Sequence, residues 1–180
     1  MSQHGCLTAV SVPPTLTGMT RLILALTLLL VMAWPAWADW AMTRWGMSPD
    51  EVSEATDGVV ASVSFSASRV SVGTVAAMEM TYEKGEVPYD VSLLFGERGL
   101  NRVYLSPQAD PNTICFVLLP QLVEELGVPA SSAPGSCLVG SCEYRSHLWI
   151  DSERNNIVSF ATMQEDALVT WCQITYRWPY

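Results

Sequence analysis

The stretch Trp45-Gly46-Met47-Ser48-Pro49-Asp50-Glu51-Val52 constrains the fold most, because it specifies the start of a helix that cannot stand alone. Ser48 takes the N-cap position. Pro49 takes the first helical position, where a missing N–H costs nothing, and Glu51 takes the third, from which its carboxylate reaches back to the cap backbone. Met47 and Val52 have the spacing of a hydrophobic staple, and Asp50 and Glu51 set negative charge at the positive end of the helix dipole. Gly58 supplies a left-handed stop. The helix predicted over residues 49–57 is about nine residues long, shorter than an isolated helix needs to persist in water. Tertiary contact must hold it, and Trp45 is the expected anchor.

Upstream, Thr20-Arg21 leads into an apolar run from Leu22 to Trp34, then Pro35 and Ala36-Trp37-Ala38. A short basic lead, an apolar core of about 13 residues and an A-x-A exit form a secretory signal, with cleavage expected after Ala38. A membrane anchor is the competing reading. The run is shorter than the ~20 residues that span a bilayer, and Pro35 and an acidic stretch follow it. Residues 1–18 hold no Lys, Arg, Asp or Glu and read as upstream sequence, with Met19 as an alternative initiator. The expected organisation is therefore an upstream segment and signal over 1–38, with its core at 19–38, and one α+β domain over 39–180. That domain is expected to be periplasmic or secreted. No cysteine follows the apolar run where lipid attachment would require one, so no lipid anchor and no membrane span are expected in the mature form.

Of the 9 Lys and Arg residues against 18 Asp and Glu, cleavage removes only Arg21, so the formal charge moves from −9 to −10. The remaining length is one domain's worth and buries roughly two-thirds of its unfolded surface. An acidic surface disfavours phosphate backbones, and the chain has no basic stripe and no glycine-rich phosphate loop. Nucleic acid is excluded as a partner on these grounds, and no cofactor is indicated.

Cys6 leaves with the signal, and Cys115, Cys137, Cys142 and Cys172 remain, an even number in a chain bound for an oxidising compartment. Three connectivities are possible. Cys137 and Cys142 flank the turn Leu138-Val139-Gly140-Ser141 and are expected to pair locally, which leaves Cys115 with Cys172. Zinc is the rival, but the insert between Cys137 and Cys142 is loose for a metal pair and the other two cysteines have no close neighbour, so no metal site is assigned. C-x-x-C spacing is absent, which argues against a redox-active pair.

Val59 to Ser68 has strand propensity with weak hydrophobic drive, and Val75 to Tyr82 is a firmer strand that sets Ala76, Met78, Met80 and Tyr82 on one face. After a turn at Lys84 to Pro88, Tyr89 to Phe95 groups Tyr89, Val91, Leu93 and Phe95. The turn Gly96-Glu97-Arg98-Gly99 closes a hairpin onto Leu100 to Leu105, with Leu100, Arg102 and Tyr104 opposite Asn101, Val103 and Leu105. Asp110-Pro111 repeats the cap-then-proline opening, and Cys115, Leu118, Leu119, Leu122 and Leu126 follow at helical spacing up to Gly127 and Pro129. Pro120 is expected to bend this helix. Ala130 to Ser136 reads as a loop. Strands are then predicted at His147 to Asp151, Ile157 to Met163 and Leu168 to Trp178, the last carrying Leu168, Cys172, Ile174 and Tyr176 on its inner face.

The order Trp45-Gly46-Met47-Ser48-Pro49-x-Glu51-Val52, the hairpin return Gly99-Leu100-x-x-Val103-x-Leu105, a helix begun near a cysteine and ended by Leu126-Gly127-x-Pro129, and closing strands resembles small exported bacterial proteins of the β-lactamase-inhibitor-protein-like group. That group includes the small lipoprotein of the outer-membrane barrel-assembly machinery, whose acylated cysteine this chain lacks. The resemblance spans most of residues 39–180. It implies an α+β fold in which two helices pack on one face of an antiparallel sheet, and binding of other proteins in place of catalysis. It does not imply β-lactamase inhibition.

His147 is the one histidine after the signal, and no local motif sets a nucleophile or an oxyanion site beside it. A surface or structural role is the simpler account, as it is for Glu79, Glu83 and Glu86. A small enzyme with a dispersed site near His147 and a carrier of an apolar ligand remain alternatives. The expected function is that of an exported, non-enzymatic protein-binding or envelope-accessory module. Its candidate binding residues are Arg102, Tyr104, His147, Trp149, Trp171 and Gln173, each expected off the core side of its strand, and its partner is expected to be another envelope or extracellular protein. Cross-strand aromatic contact is the competing explanation, and a register error of one residue would turn the set inward.

Overall fold

The computed structural model describes residues 39–62, 73–136 and 142–179, all within the unit Trp37–Tyr180. The leader and its cleavage site, most of the weak strand predicted from Val59, and Cys137 lie outside the described residues.

The first helix, α1 (Pro49–Ala55), begins as its residues dictate. The Ser48 backbone N–H donates to Glu51 Oε2 at 2.8 Å and the Ser48 hydroxyl accepts from the Glu51 backbone N–H at 3.3 Å, a reciprocal capping box. It ends two residues earlier than predicted. The Thr56 hydroxyl donates to the Val52 carbonyl, Asp57 already turns left-handed, and Gly58 closes the end by donating to the Ser53 carbonyl. Val52 is fully buried and Met47 packs at the edge of the core, as a stapled start requires.

Eight strands form one antiparallel sheet: β1 (Ala61–Ser62), β2 (Ala76–Lys84), β3 (Val87–Gly96), β4 (Gly99–Pro107), β5 (Ser131–Ser136), β6 (Cys142–Asp151), β7 (Asn156–Glu165) and β8 (Leu168–Arg177). Their spatial order is β1-β2-β3-β4-β8-β7-β6-β5. The chain thus builds two four-strand halves outward and inward again, and joins them where β4 pairs with β8. The second helix, α2 (Pro111–Leu126), is the connection between the halves. The fold class is α+β.

The predicted hairpin faces hold for Tyr89, Val91, Leu93 and Phe95, all buried. On β4 the expected grouping fails at one residue. Phe95 pairs with Leu100 and Leu94 with Arg102, so Asn101 bulges out of register and Leu100 joins Val103 and Leu105 in the core. A second irregularity, at Met163/Gln164, pairs Gln164 with Val169. It turns Val169 inward and leaves Leu168, expected inside, 56% exposed. Bulges reverse a face from within a strand, which alternation read from sequence cannot anticipate.

Residues 131–136, expected as a loop, are strand β5. Their side chains carry no hydrophobic pattern. The segment is a strand because its backbone pairs with β6 from Ser131↔Leu148 to Ser136↔Glu143 at the edge of the sheet, where Pro134 is tolerated.

Helix α2 runs through Pro120, which lies on its exposed side, as does Phe116, whose carbonyl loses the donor that a non-proline residue would supply. Asp110 does not cap a backbone N–H; its carboxylate accepts from the Thr113 hydroxyl at 2.8 Å. Asn112 Oδ1 accepts from the Val169 backbone N–H at 3.3 Å, and the Cys115–Cys172 disulfide ties the helix to β8. Cys142 is also disulfide-bonded, and its expected partner Cys137 lies outside the described residues. Val52, Cys115, Leu118 and Leu122 share one buried cluster with Met78, Val91, Leu93, Val103, Leu105, Val158, Phe160 and Ile174.

Candidate recognition face

Strand pairing assigns each candidate residue to a face. Buried Val103 and Leu105 alternate with half-buried Arg102 and Tyr104, and buried Cys172 and Ile174 alternate with half-buried Trp171 and Gln173. Across the sheet, Tyr104 pairs with Thr175, Arg102 with Arg177, Gln173 with Ala161, and Trp171 with Met163. Four of the six candidates therefore share the face opposite the core residues of β4 and β8.

His147 and Trp149 do not belong there. They pair with Phe160 and Val158, both fully buried, and so lie on the core face. Trp149 is 2% exposed and its indole N–H donates to the Gly127 carbonyl at 2.8 Å, clamping the end of α2. The sequence His147-Leu148-Trp149-Ile150 offers apolar residues at both parities, so it carried no direction. The structure resolves it by burying the larger indole and leaving Ile150 68% exposed.

The face holds residues that sequence reading passed over. Tyr144 pairs with Met163, which pairs in turn with Trp171, and Tyr144 is 37% exposed. Strand β6 begins at Cys142, ahead of the start predicted at His147, so Tyr144, Ser146 and Leu148 alternate with the set that contains Trp149. Arg177 completes the face at the end of β8.

Several of these side chains are held in place. Arg102 Nη1 donates to the Tyr104 hydroxyl at 3.1 Å, and its guanidinium lies 5.9 Å from the Tyr104 ring centroid. Gln173 Nε2 donates to the Ser106 hydroxyl at 3.2 Å. Fixed rotamers reduce the entropy lost when a partner docks.

His147 Nδ1 lies 2.8 Å from the Ser132 hydroxyl, and its ring centroid is 6.2 Å from that of Trp149. Burial, and then the nearby Arg145 guanidinium, hold its pKa below the usual 6.5, so the ring is neutral near pH 7. A hydroxyl beside a neutral imidazole is half of a nucleophilic pair, yet no carboxylate orients the ring among the described hydrogen bonds.

A separate polar cluster joins β2, β8 and the end of α2. Lys84 donates to Glu125, whose other oxygen is 3.9 Å from Arg154 Nη1. Burial, the largest influence on Lys84, favours its neutral form, but Tyr176 and Glu125 together outweigh it and raise its pKa. Burial raises that of Tyr176 as well. Beside this cluster a pocket of about 290 Å³ is lined by Glu125, Asp151, Glu153 and Arg154 with the edge of Trp149. Charged walls suit water better than an apolar cargo. Among the described residues no cluster of three or more His, Cys, Asp or Glu could hold a metal ion, and no helix is long and apolar enough to cross a membrane.

No protein-family model, no curated protein and no solved structure matches the chain.

Proposed function

We propose that this chain is an exported, non-enzymatic protein-binding module that grips an envelope or extracellular partner with the sheet face carrying Arg102, Tyr104, Trp171 and Gln173, extended by Tyr144 and Met163. The observation that carries the reading is the concentration of Trp, Tyr, Met and Arg on one half-exposed face, with Arg102 and Gln173 held by hydrogen bonds. These residue types dominate the energetic centres of protein interfaces. In this reading both helices cover the other face, since Val52 of α1 and Cys115, Leu118 and Leu122 of α2 belong to one buried cluster. The β-lactamase-inhibitor-protein-like resemblance leads to the same class of activity. The Cys115–Cys172 disulfide suits an oxidising compartment.

Affinity capture from envelope extract tests this. A partner retained by the wild-type protein and by a Phe116→Ala control on the exposed side of α2, but lost from Trp171→Ala and Tyr104→Ala variants of unchanged melting temperature, supports the reading. A partner retained by all four proteins refutes it.

A further inference from the structure

We propose that Arg102 and Arg177 together receive carboxylates of an acidic protein segment, which names the chemical class of partner for the recognition face and rests on that reading. The two arginines sit directly opposite each other on β4 and β8. Like charges at opposed positions repel, and a fold without use for them would be expected to screen them with its own acids. The chain has ample means, with 18 acidic residues against 9 basic ones. Near the end of α2 it does so, where Lys84 and Arg154 both reach Glu125 and Arg154 also pairs with Asp151 at 3.3 Å. Among the described residues neither Arg102 nor Arg177 has an ion-pair partner.

Among the described residues the side-chain hydrogen bond of Arg102 goes to a neutral hydroxyl, that of Tyr104, which sets the direction of the guanidinium without pairing it with a carboxylate. Arg177 is exposed. Beside Arg177 stands Ile157 on β7, and beside Ile157 stands exposed Ile150 on β6, so the cationic pair borders apolar surface. Guanidinium forks match carboxylates in a planar, two-bond geometry, and apolar and aromatic neighbours match the side chains that surround a carboxylate on a protein. An extended polyanion fits less well. Two arginines offer it a short foothold, and the net charge of −9 repels the remainder of its length.

The test uses the exported protein and a short fluorescein-labelled peptide carrying two glutamates among leucine and serine residues, read by fluorescence anisotropy. A lysine–leucine peptide and phosphatidylglycerol vesicles serve as comparison probes. The wild-type protein is expected to bind the glutamate peptide in preference to both, more weakly as salt rises, and the Arg102→Gln/Arg177→Gln variant to bind it at least about tenfold more weakly with no fall in melting temperature. Should the double variant melt early, the two single variants carry the test, each expected to lose about threefold or more. Equal peptide binding by wild type and arginine variants overturns the proposal, and so does arginine-dependent binding of the vesicles in preference to the peptide. If Trp171→Ala abolishes capture of the envelope partner while the arginine variant retains it, the acidic-segment proposal fails and the recognition face stands. If both retain it, the recognition face fails too.

Discussion

Trp45 and Asn156, 111 residues apart, are joined by a hydrogen bond of 2.9 Å from the indole N–H to the Asn156 side-chain oxygen. Asn156 is 2% exposed and opens β7, and its amide N–H₂ donates to the Asp39 carbonyl at 2.7 Å. Asp39 in turn accepts from the Trp45 backbone N–H through its carboxylate at 2.8 Å. The three residues close a ring that seats the segment before α1 on the second half of the sheet. The short helix therefore depends on a residue from the far end of the chain.

Replacing Asn156 with Ala leaves the Trp45 indole N–H and the Asp39 carbonyl without their partner in a partly buried setting. The expected cost is about 1–3 kcal/mol, read as a lower urea midpoint at unchanged slope. An unchanged midpoint would show that the ring does not hold the segment.

Gly99 has φ +92°, and a Cβ there would lie 2.2 Å from the Gly46 carbonyl oxygen. The close approach exists because the segment at Gly46 and Met47 pairs with the start of β4: Gly46 N–H donates to the Leu100 carbonyl at 2.9 Å and Leu100 N–H to the Met47 carbonyl at 2.7 Å. Gly99→Ala is expected to cost more than about 3 kcal/mol or to prevent folding, since backbone must move. Gly85→Ala, with φ +65° and no atom within 4 Å, is expected to cost only about 1–2 kcal/mol. Equal melting temperatures for the two variants would contradict the docking of this segment on the hairpin.

The two tryptophans first grouped together separate under mutation. Trp149→Ala removes a buried indole and its bond to Gly127, for an expected loss of about 3–5 kcal/mol. Trp171→Ala, on the half-exposed face, is expected to lose about 1 kcal/mol or less, close to a surface substitution. Guanidinium unfolding monitored by circular dichroism distinguishes them, and a reversed order would invalidate the assignment of faces.

Glu51 gives stability an acid limb of known sign. The Ser48 backbone N–H, then the Ser48 hydroxyl, hold its pKa below the ordinary 4.5, so its ionised form belongs to the folded state. The contribution is complete above the unfolded pKa of about 4.5 and is lost as pH falls through the lower folded value. Glu51→Gln is expected to flatten the fall in melting temperature below that point while changing little above it. Parallel curves for wild type and variant across that range would rule out the contribution.

Local chemistry carried the capping box, the proline-led helix starts, the hairpin turns and most strand cores, because each is written within a few neighbouring residues. The Cys115–Cys172 pairing was legible too, since both cysteines fell on inward stripes of their own elements. What escaped was non-local. The β5 strand has no pattern of its own and exists only because β6 offers a ladder, and the bulges at Asn101 and Thr170 depend on which residues the neighbouring strand presents. Of the candidate face, Arg102, Tyr104, Trp171 and Gln173 were legible from alternation. His147 and Trp149 were misplaced because both parities of their strand are apolar, so only competition for space in the core could decide. A sequence states the period of a strand, but its direction relative to the core is a property of the neighbours, and here the neighbours chose Trp149 for the interior and left Arg102 facing Arg177 across the sheet.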